Sequence, residues 1–291
     1  MLSKFQNNTN AGFTAFDMAD HYGDAEIVRG QFRSAYLGPK SIFCATKYCV
    51  FEPITVTEYG MRDAASQRLA NINPDKIDLL QFHWHDYNNS QYTRALQLLQ
   101  ADERVTVLGR CNFDTKRMEE IINAGVKVAT NQVQDTLPPL LCPPCSPSLS
   151  SPHLPPSVVR RFPLQKMDRK RRARPIWPRH DPQSPKVPRK INIWGFWLLF
   201  QTLLRTLSTI GRKHNVSVSA VAVRWVLDFS YVGAVIVSAC MGVSEHTEDN
   251  LAVYGWRLDG EDKRMLDEVL SGSRRGEMFR DMGDCGAEYR R

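Results

Sequence analysis

The sequence predicts an α/β fold in which helices cover a parallel sheet. Three observations support this. Short apolar runs alternate with helical patterns, these runs are apolar enough to be buried on both faces, and no run reaches the ~20 residues that span a bilayer. With 42% hydrophobic and 24% charged residues, the composition is that of an ordinary globular chain. We expect residues 1–291 to form a single domain.

Strands and helices alternate along both halves of the chain. The predicted strands are 12–19, 41–48, 76–84, 105–113, 127–133 and 233–240. The predicted helices are 58–72, 115–124, about 198–213 and one that begins at Ser217, with a further helical segment in 246–253. Asp114 or Thr115 is suited to cap the start of the second helix, and Gly125 to end it. Residues 271–291 lack apolar periodicity and are expected to form a loose tail.

Residues 136–190 depart from this alternation. They hold fourteen of the seventeen prolines, and twelve Lys and Arg against two acids give them a net charge of +10, whereas the remaining residues carry −3. Because proline disrupts helices and central strands, we expect an irregular, largely disordered insertion without a regular strand between Pro138 and Pro188. The abrupt edges suggest a frameshift or a retained non-coding stretch, with an evolved insertion as the alternative.

Side chains suited to acid–base chemistry lie at the ends of three successive predicted strands. Asp17 and Tyr22 lie at the end of the first strand, Lys47 at the end of the second and His83 at the end of the third. In a parallel α/β barrel the carboxyl ends of the strands surround the active site. A tyrosine donates a proton near neutral pH only if its pKa, normally about 10, is lowered, and an ammonium held by a carboxylate lowers it. These residues therefore indicate a proton-donating site.

Several short motifs together resemble the aldo-keto reductase superfamily. They are DMADHYG (17–23), ATK (45–47), LLQFHW (79–84), GRCNF (109–113), NQV (131–133), VRWVLD (223–228) and VSEHTEDNL (243–251). The resemblance implies a (β/α)8 TIM barrel and an NAD(P)H-dependent oxidoreductase that reversibly reduces an aldehyde or ketone to an alcohol. The segments FHWHDY and SEHTEDN resemble those of a fungal-type member acting in secondary metabolism.

The resemblance also implies catalytic roles. Tyr22 would donate the proton, and Lys47, held by Asp17, would lower the pKa of Tyr22. His83 would orient the substrate carbonyl.

The implied cofactor is NADPH or NADH. The residues that would contact it are Asn112 and Gln132 at the nicotinamide carboxamide and Ser244, Asp249 and Asn250 near the adenosine. The family commonly offers a cation just after the last strand for the 2′-phosphate of NADP. Residues 238–241 contain none, and His246 stands where an arginine is common.

Two strands of the family's barrel have no match in the sequence. Only eleven residues precede Gly12, where the family has a first strand, and the strand after Gln132 should fall in 136–190. Six of eight strands are therefore recognisable. We expect an incomplete barrel, truncated at the N-terminus and scrambled at 136–190, with an open cleft that leaves Asn112 and Gln132 exposed.

Other classes of function were weighed against a reductase. The alternative is a catalytically impaired remnant, or a non-enzymatic protein that binds acidic partners through its basic segment. No nucleic-acid-binding fold surrounds the basic run 169–174, and the Cys142–Cys145 pair lacks a second pair of metal ligands, so neither nucleic acid nor metal is predicted. Sparse cysteines and the lack of an apolar leader predict a cytoplasmic chain that binds no membrane. The resemblance to aldo-keto reductases implies a small carbonyl compound as its binding partner. The oligomeric state is left open.

Overall fold

Seven parallel strands, each paired with the next in chain order, form the sheet in the computed structural model. The model describes residues 2–72, 76–134, 158–162, 191–237 and 246–277, with only the backbone for residues 134 and 158–162. The strands are β1 (Ala15–Asp17), β2 (Phe43–Val50), β3 (Ile77–Trp84), β4 (Val105–Cys111), β5 (Asn131–Gln134), β6 (Val158–Phe162) and β7 (Val232–Val237). The six strands predicted from the sequence are all confirmed.

One helix precedes the first strand, and the others connect or follow the strands, as parallel pairing requires crossover connections. They are α1 (Leu2–Asn10), α2 (Ala25–Ala35), α3 (Glu58–Ile72), α4 (Gln91–Ala101), α5 (Thr115–Asn123), α6 (Trp197–His214), α7 (Val218–Leu227), α8 (Thr247–Leu251) and α9 (Gly260–Ser271). No helix in the described ranges combines the length and the apolar character that crossing a membrane would need.

The predicted helix boundaries have clear local causes. The Asp114 carboxylate caps α5 by accepting a hydrogen bond from the Arg117 amide at 2.8 Å. The residue two positions after the end of that helix, Gly125, has a φ of 81°, a backbone conformation that glycine adopts at little cost. Ser217 caps α7 in the same way as Asp114, through the amide of Ala220.

The sheet curls, so that its first and fifth strands face each other. The side-chain amide of Gln132 on β5 donates a hydrogen bond to the Asp17 carboxylate on β1 at 3.2 Å. In a flat sheet, strands four places apart would be about 19 Å from each other, because neighbouring strands are spaced about 4.8 Å apart. A direct contact between these side chains therefore requires the curvature of a barrel wall.

The apolar core has two main parts outside the sheet. One cluster packs α3, α4 and α5 against β2–β4 and includes Ile72, Leu80, Phe82 and Leu96. A second joins α6, α7 and α9 through residues such as Phe200, Leu207, Val221 and Leu266. Each cluster therefore draws its residues from one half of the chain.

The expectation that no regular strand lies between Pro138 and Pro188 is wrong. β6 runs through that interval and pairs with β5 on one side and β7 on the other. Its five residues, VVRRF, lie between Pro156 and Pro163 and contain no proline, so each can supply both an N–H and a C=O to the ladder. The rest of residues 136–190 lies outside the described part of the chain.

The two ends of the described chain both make polar contacts. The Thr247 hydroxyl on α8 lies 3.4 Å from the Asn8 side-chain oxygen on α1. After α9, the Arg274 amide donates to the Trp194 carbonyl at 2.7 Å, and its guanidinium donates to the Gly195 carbonyl. Of the tail predicted at 271–291, the residues after Glu277 lie outside the described part.

Candidate active site

A buried ion pair lies at the carboxyl ends of the first two strands. The Lys47 ammonium is 2.6 Å from the Asp17 carboxylate, and the two side chains are 2% and 10% exposed. Lys47 also donates to the Met18 carbonyl at 2.9 Å. Removing two charges from water is costly, but here the ammonium donates to two oxygens, which fixes its position.

The ammonium of this pair lies beside the predicted proton donor. Lys47 Nζ is 5.5 Å from the centroid of the Tyr22 ring, a distance at which a cation interacts with an aromatic ring. A turn that begins after β1 carries Tyr22 to this position, with the Tyr22 amide donating to the Ala19 carbonyl. The structure therefore brings together three of the four catalytic residues expected from the sequence.

The fourth residue, His83, lies on the same face of the sheet, near the end of β3. It is opposite Cys49 on β2 and Cys111 on β4. His83 is buried, and its ring is 5.6 Å from that of Phe51. The Phe51 ring in turn contacts His21, which lies next to Tyr22 in the chain. One exposed aromatic side chain thus contacts both His83 and His21, the residue that precedes Tyr22.

A further hydrogen bond to the Asp17 carboxylate comes from a glutamine that was not among the residues predicted from the sequence. Gln81 Nε2 donates to Asp17 Oδ1 at 2.6 Å, while Lys47 and Gln132 bond to Oδ2. Strand alternation could have identified this residue: Gln81 lies two positions before His83, and residues two apart in a strand share a face. Both oxygens of Asp17 are therefore held by donors.

Asn112 lies just after β4, beside Gln132, the second residue of β5, and the Asn112 backbone amide donates to the Gln132 carbonyl at 2.8 Å. The expectation that an open cleft exposes them is wrong, since their exposures are only 9% and 3%. Two features explain the burial. β6 covers the far side of β5, and the curled sheet turns the Gln132 side chain inward onto Asp17.

The side-chain amides of Asn112 and Gln132 have the donors and acceptors that a carboxamide ligand needs. An amide side chain offers two N–H donors and a carbonyl acceptor, the complement of another amide. Gln132 uses one N–H on Asp17, which leaves donor capacity for a ligand. Asn112 has a φ of 61°, and the Tyr87 hydroxyl holds its backbone carbonyl at 3.1 Å. The pair is thus positioned before any ligand binds.

Of the residues expected near an adenosine, Asp249 and Asn250 lie on α8 and are half-buried. The Asn250 amide donates to the His246 carbonyl at 2.8 Å. Ser244 lies outside the described residues. The segment 246–251 contains no Lys or Arg, so the one side chain there that can carry a positive charge is His246.

Together, the fold and these side chains define a class: a parallel α/β barrel whose carboxyl-end site centres on a tyrosine beside a buried Lys–Asp pair. The model of the aldo/keto reductase family matches residues 6–138 and 147–271. The chain therefore belongs to the aldo/keto reductase family, whose enzymes are NAD(P)H-dependent oxidoreductases. The second matched stretch begins inside 136–190, in agreement with the presence of β6.

Two characterised enzymes illustrate the sequence relationship. Glyoxal reductase of Bacillus subtilis (strain 168) is 22% identical over 269 residues, which are 91% of this chain and 82% of that protein. Morphine 6-dehydrogenase of Pseudomonas putida is 28% identical over 129 residues, or 43% of each chain. The present chain thus spans under half the length of the second relative.

Solved structures share the fold. The glycerol dehydrogenase of Gluconobacter oxydans superposes with a TM-score of 0.68 at 22% identity, covering 94% of this chain and 86% of that one. A Gox0644 variant in complex with NADPH gives a TM-score of 0.64 at 19% identity, covering 95% and 85%. At these identities the likeness establishes the fold alone.

Proposed function

We propose that this protein reduces an aldehyde or a ketone to the alcohol with NAD(P)H, and that Tyr22 donates the proton to the carbonyl oxygen. The observation that carries the proposal is the position of the Lys47 ammonium, which Asp17 and the Met18 carbonyl hold beside the Tyr22 ring. A fixed positive charge beside a phenol favours the tyrosinate that remains when the proton leaves.

When bound, the reduced nicotinamide supplies the hydride for the carbonyl carbon. Each of the chain's own residues then has a separate task. Tyr22 releases its proton to the carbonyl oxygen, and Lys47 stabilises the resulting negative charge. Asp17 fixes Lys47, and Gln81 fixes Asp17. His83 lies one strand further on and orients the carbonyl oxygen towards the donor.

For the cofactor, we propose that Asn112 and Gln132 hold the nicotinamide carboxamide and that Asp249 and Asn250 lie near the adenosine. Both side-chain amides are buried, one just after β4 and the other near the start of the adjacent β5, which supports a single planar ligand between them and the proton donor. Because His246 is the one side chain of 246–251 that can become positive, we expect little preference for NADPH over NADH.

Replacing Tyr22 by phenylalanine tests the proposal. Because general acids contribute factors of about 100 to 10,000, Y22F should lower kcat by that range and leave NADPH binding, followed by quenching of intrinsic fluorescence, nearly unchanged. Tyr48 provides the matched control: it lies one residue after Lys47, packs on Phe82 and Arg68, and Y48F should keep its activity. Equal kcat values for Y22F and the unaltered chain would refute the role of Tyr22.

A further inference from the structure

A mixed cluster of metal-binding side chains lies beside the proton-donating site but takes no part in it. Asp20 and His21 immediately precede Tyr22, and Cys49 lies two residues after Lys47 on β2. One carboxylate oxygen, one imidazole nitrogen and the thiol sulfur of these residues all lie within 4.8 Å of one another. A carboxylate, an imidazole and a thiol therefore lie close together at one edge of the site.

The contacts within the cluster are close to those of a metal site. His21 Nδ1 is 3.3 Å from Asp20 Oδ1. In a tetrahedral zinc site with Zn–N and Zn–O bonds of 2.0–2.1 Å, such ligand atoms are separated by about 3.3 Å. The sulfur would need to come within about 3.6 Å of the other two, given a Zn–S bond of about 2.3 Å. Because the ligand atoms lie within 4.8 Å of one another, the sulfur has to approach the other two by at most about 1.2 Å.

We propose that Asp20, His21 and Cys49 form a binding site for a divalent transition metal of the zinc class. Sulfur, imidazole and carboxylate together match the ligand preferences of Zn²⁺ and exclude Mg²⁺ and Ca²⁺, which take oxygen ligands. Three protein ligands leave one tetrahedral position for water or another small ligand.

The surroundings hold Asp20 in place for this role. Its Oδ2 accepts a hydrogen bond from the Cys49 amide at 3.0 Å and lies 3.5 Å from the Arg68 guanidinium. Oδ1, on the side of His21, is the oxygen that would face the metal. Phe51 and Tyr22 pack against the His21 ring with edge-on geometry, which limits its movement.

A metal that binds Cys49 replaces the proton of its thiol. The S–H bond breaks, the proton leaves to solvent and a metal–sulfur bond forms.

In a second cluster of potential metal ligands, a lysine ammonium lies where a metal ion would bind. His214, Asp259 and Asp262 also offer three ligand atoms within 4.8 Å. There the Lys213 ammonium lies 2.6 Å from Asp259 and 2.9 Å from Asp262, so a cation already neutralises the carboxylates. In the Asp20 cluster the neighbouring cation, Arg68, lies on the far oxygen of the carboxylate.

Cobalt binding provides the test, because Co²⁺ replaces Zn²⁺ and gives a near-ultraviolet charge-transfer band only when a thiolate is a ligand. The full chain, with Cys142 and Cys145 changed to serine so that this pair cannot contribute, is titrated with CoCl2 and then with ZnCl2. We expect a band that saturates at one equivalent of Co²⁺ and disappears on adding Zn²⁺. No carbonyl substrate or NADPH is needed, so the result does not depend on the proposed reductase function.

Variants of the ligands decide the assignment. C49S should abolish the band, and H21A should weaken Co²⁺ binding by about tenfold or more. Cys44, on the same strand but packed in the hydrophobic cluster under α3, is the matched control, and C44A should keep the band. Far-ultraviolet circular dichroism verifies that each variant folds. Absence of the band in the parent chain, or its survival in folded C49S, would overturn the proposal.

Discussion

Gln81 on β3 donates a hydrogen bond of 2.6 Å to Asp17 on β1, although β2 lies between these two strands. The bond reaches Asp17 Oδ1, while Lys47 occupies Oδ2. Gln81 is therefore a positioning residue in the proposed reaction: it fixes the carboxylate that fixes the ammonium.

This position makes Gln81 a test of the proposed site. Q81L removes a hydrogen bond to a charged group, worth about 1.5–3 kcal/mol, and should lower kcat on the order of tenfold with little change in the KM for the carbonyl substrate. The pH profile of kcat should also shift, an effect that damage to folding alone would not produce. Q67L on the exposed face of α3 is the control, since Gln67 bonds only to Asp63 among the contacts described. Unchanged kinetics in Q81L would argue against the proposal that Gln81 positions Asp17 and, through it, Lys47.

Gly30 allows α2 and α3 to pack closely. A Cβ at this position would lie 2.3 Å from the Asn71 carbonyl oxygen, a backbone atom that cannot move away cheaply. We expect G30A to destabilise the fold by about 1–3 kcal/mol, measured by urea unfolding. G260A at the start of α9 is the control, because a Cβ there meets nothing within 4 Å. If both variants unfolded at the same urea concentration, the close packing would be disproved.

The ion cluster at the start of α9 should govern stability in acid. Burial opposes ionisation of Asp262, but hydrogen bonds from His214 and Lys213 outweigh it and lower the pKa of this carboxyl. A lowered pKa in the folded state contributes stability that is complete above the unfolded value of about 3.9 and is lost as pH falls through the folded value.

The matched variants are D262N and D267N on the same helix. D262N should lose about 1–3 kcal/mol at pH 7, since it removes the charge from a fully buried, hydrogen-bonded group, and its stability should fall less between pH 4 and pH 2. D267N changes an exposed carboxyl and should follow the unaltered chain. Parallel acid-unfolding curves for D262N and the unaltered chain would contradict the assignment.

Two serines at helix starts provide a direct comparison of capping. Ser217 accepts a hydrogen bond from the Ala220 amide, whereas Ser90 at the start of α4 makes no side-chain capping bond. S217A should lower the free energy of unfolding by about 1 kcal/mol, and S90A by much less. Thermal unfolding of the two variants gives the difference, and a larger effect in S90A would count against the geometry described for α7.

Local sequence signals predicted most of the fold. The apolar spacing in 58–72 and the caps Asp114 and Ser217 located helices within one or two residues, because capping and periodicity act over a single turn. The motif residues Asp17, Tyr22 and Lys47 likewise meet because they lie in or just after the neighbouring parallel strands β1 and β2.

The errors involve long-range pairing. β6 was missed because the density of proline in 136–190 outweighed a five-residue window without it, and only the exposed edges of β5 and β7 explain why VVRRF pairs there. The burial of Gln132 depends on a contact with Asp17, 115 positions earlier in the chain. No local pattern encodes such a contact.

The contact between Asn8 and Thr247 has a consequence for the order of folding. It joins residues 239 positions apart, and closing so long a loop costs about 1.7 kcal/mol more chain entropy than closing a βα unit of about 35 residues. The two apolar clusters, each local to one half of the chain, can form without it. The junction of α1 with α8 should therefore form last and open first, and the amide of Asn250 should exchange its hydrogen sooner than the amides of β3.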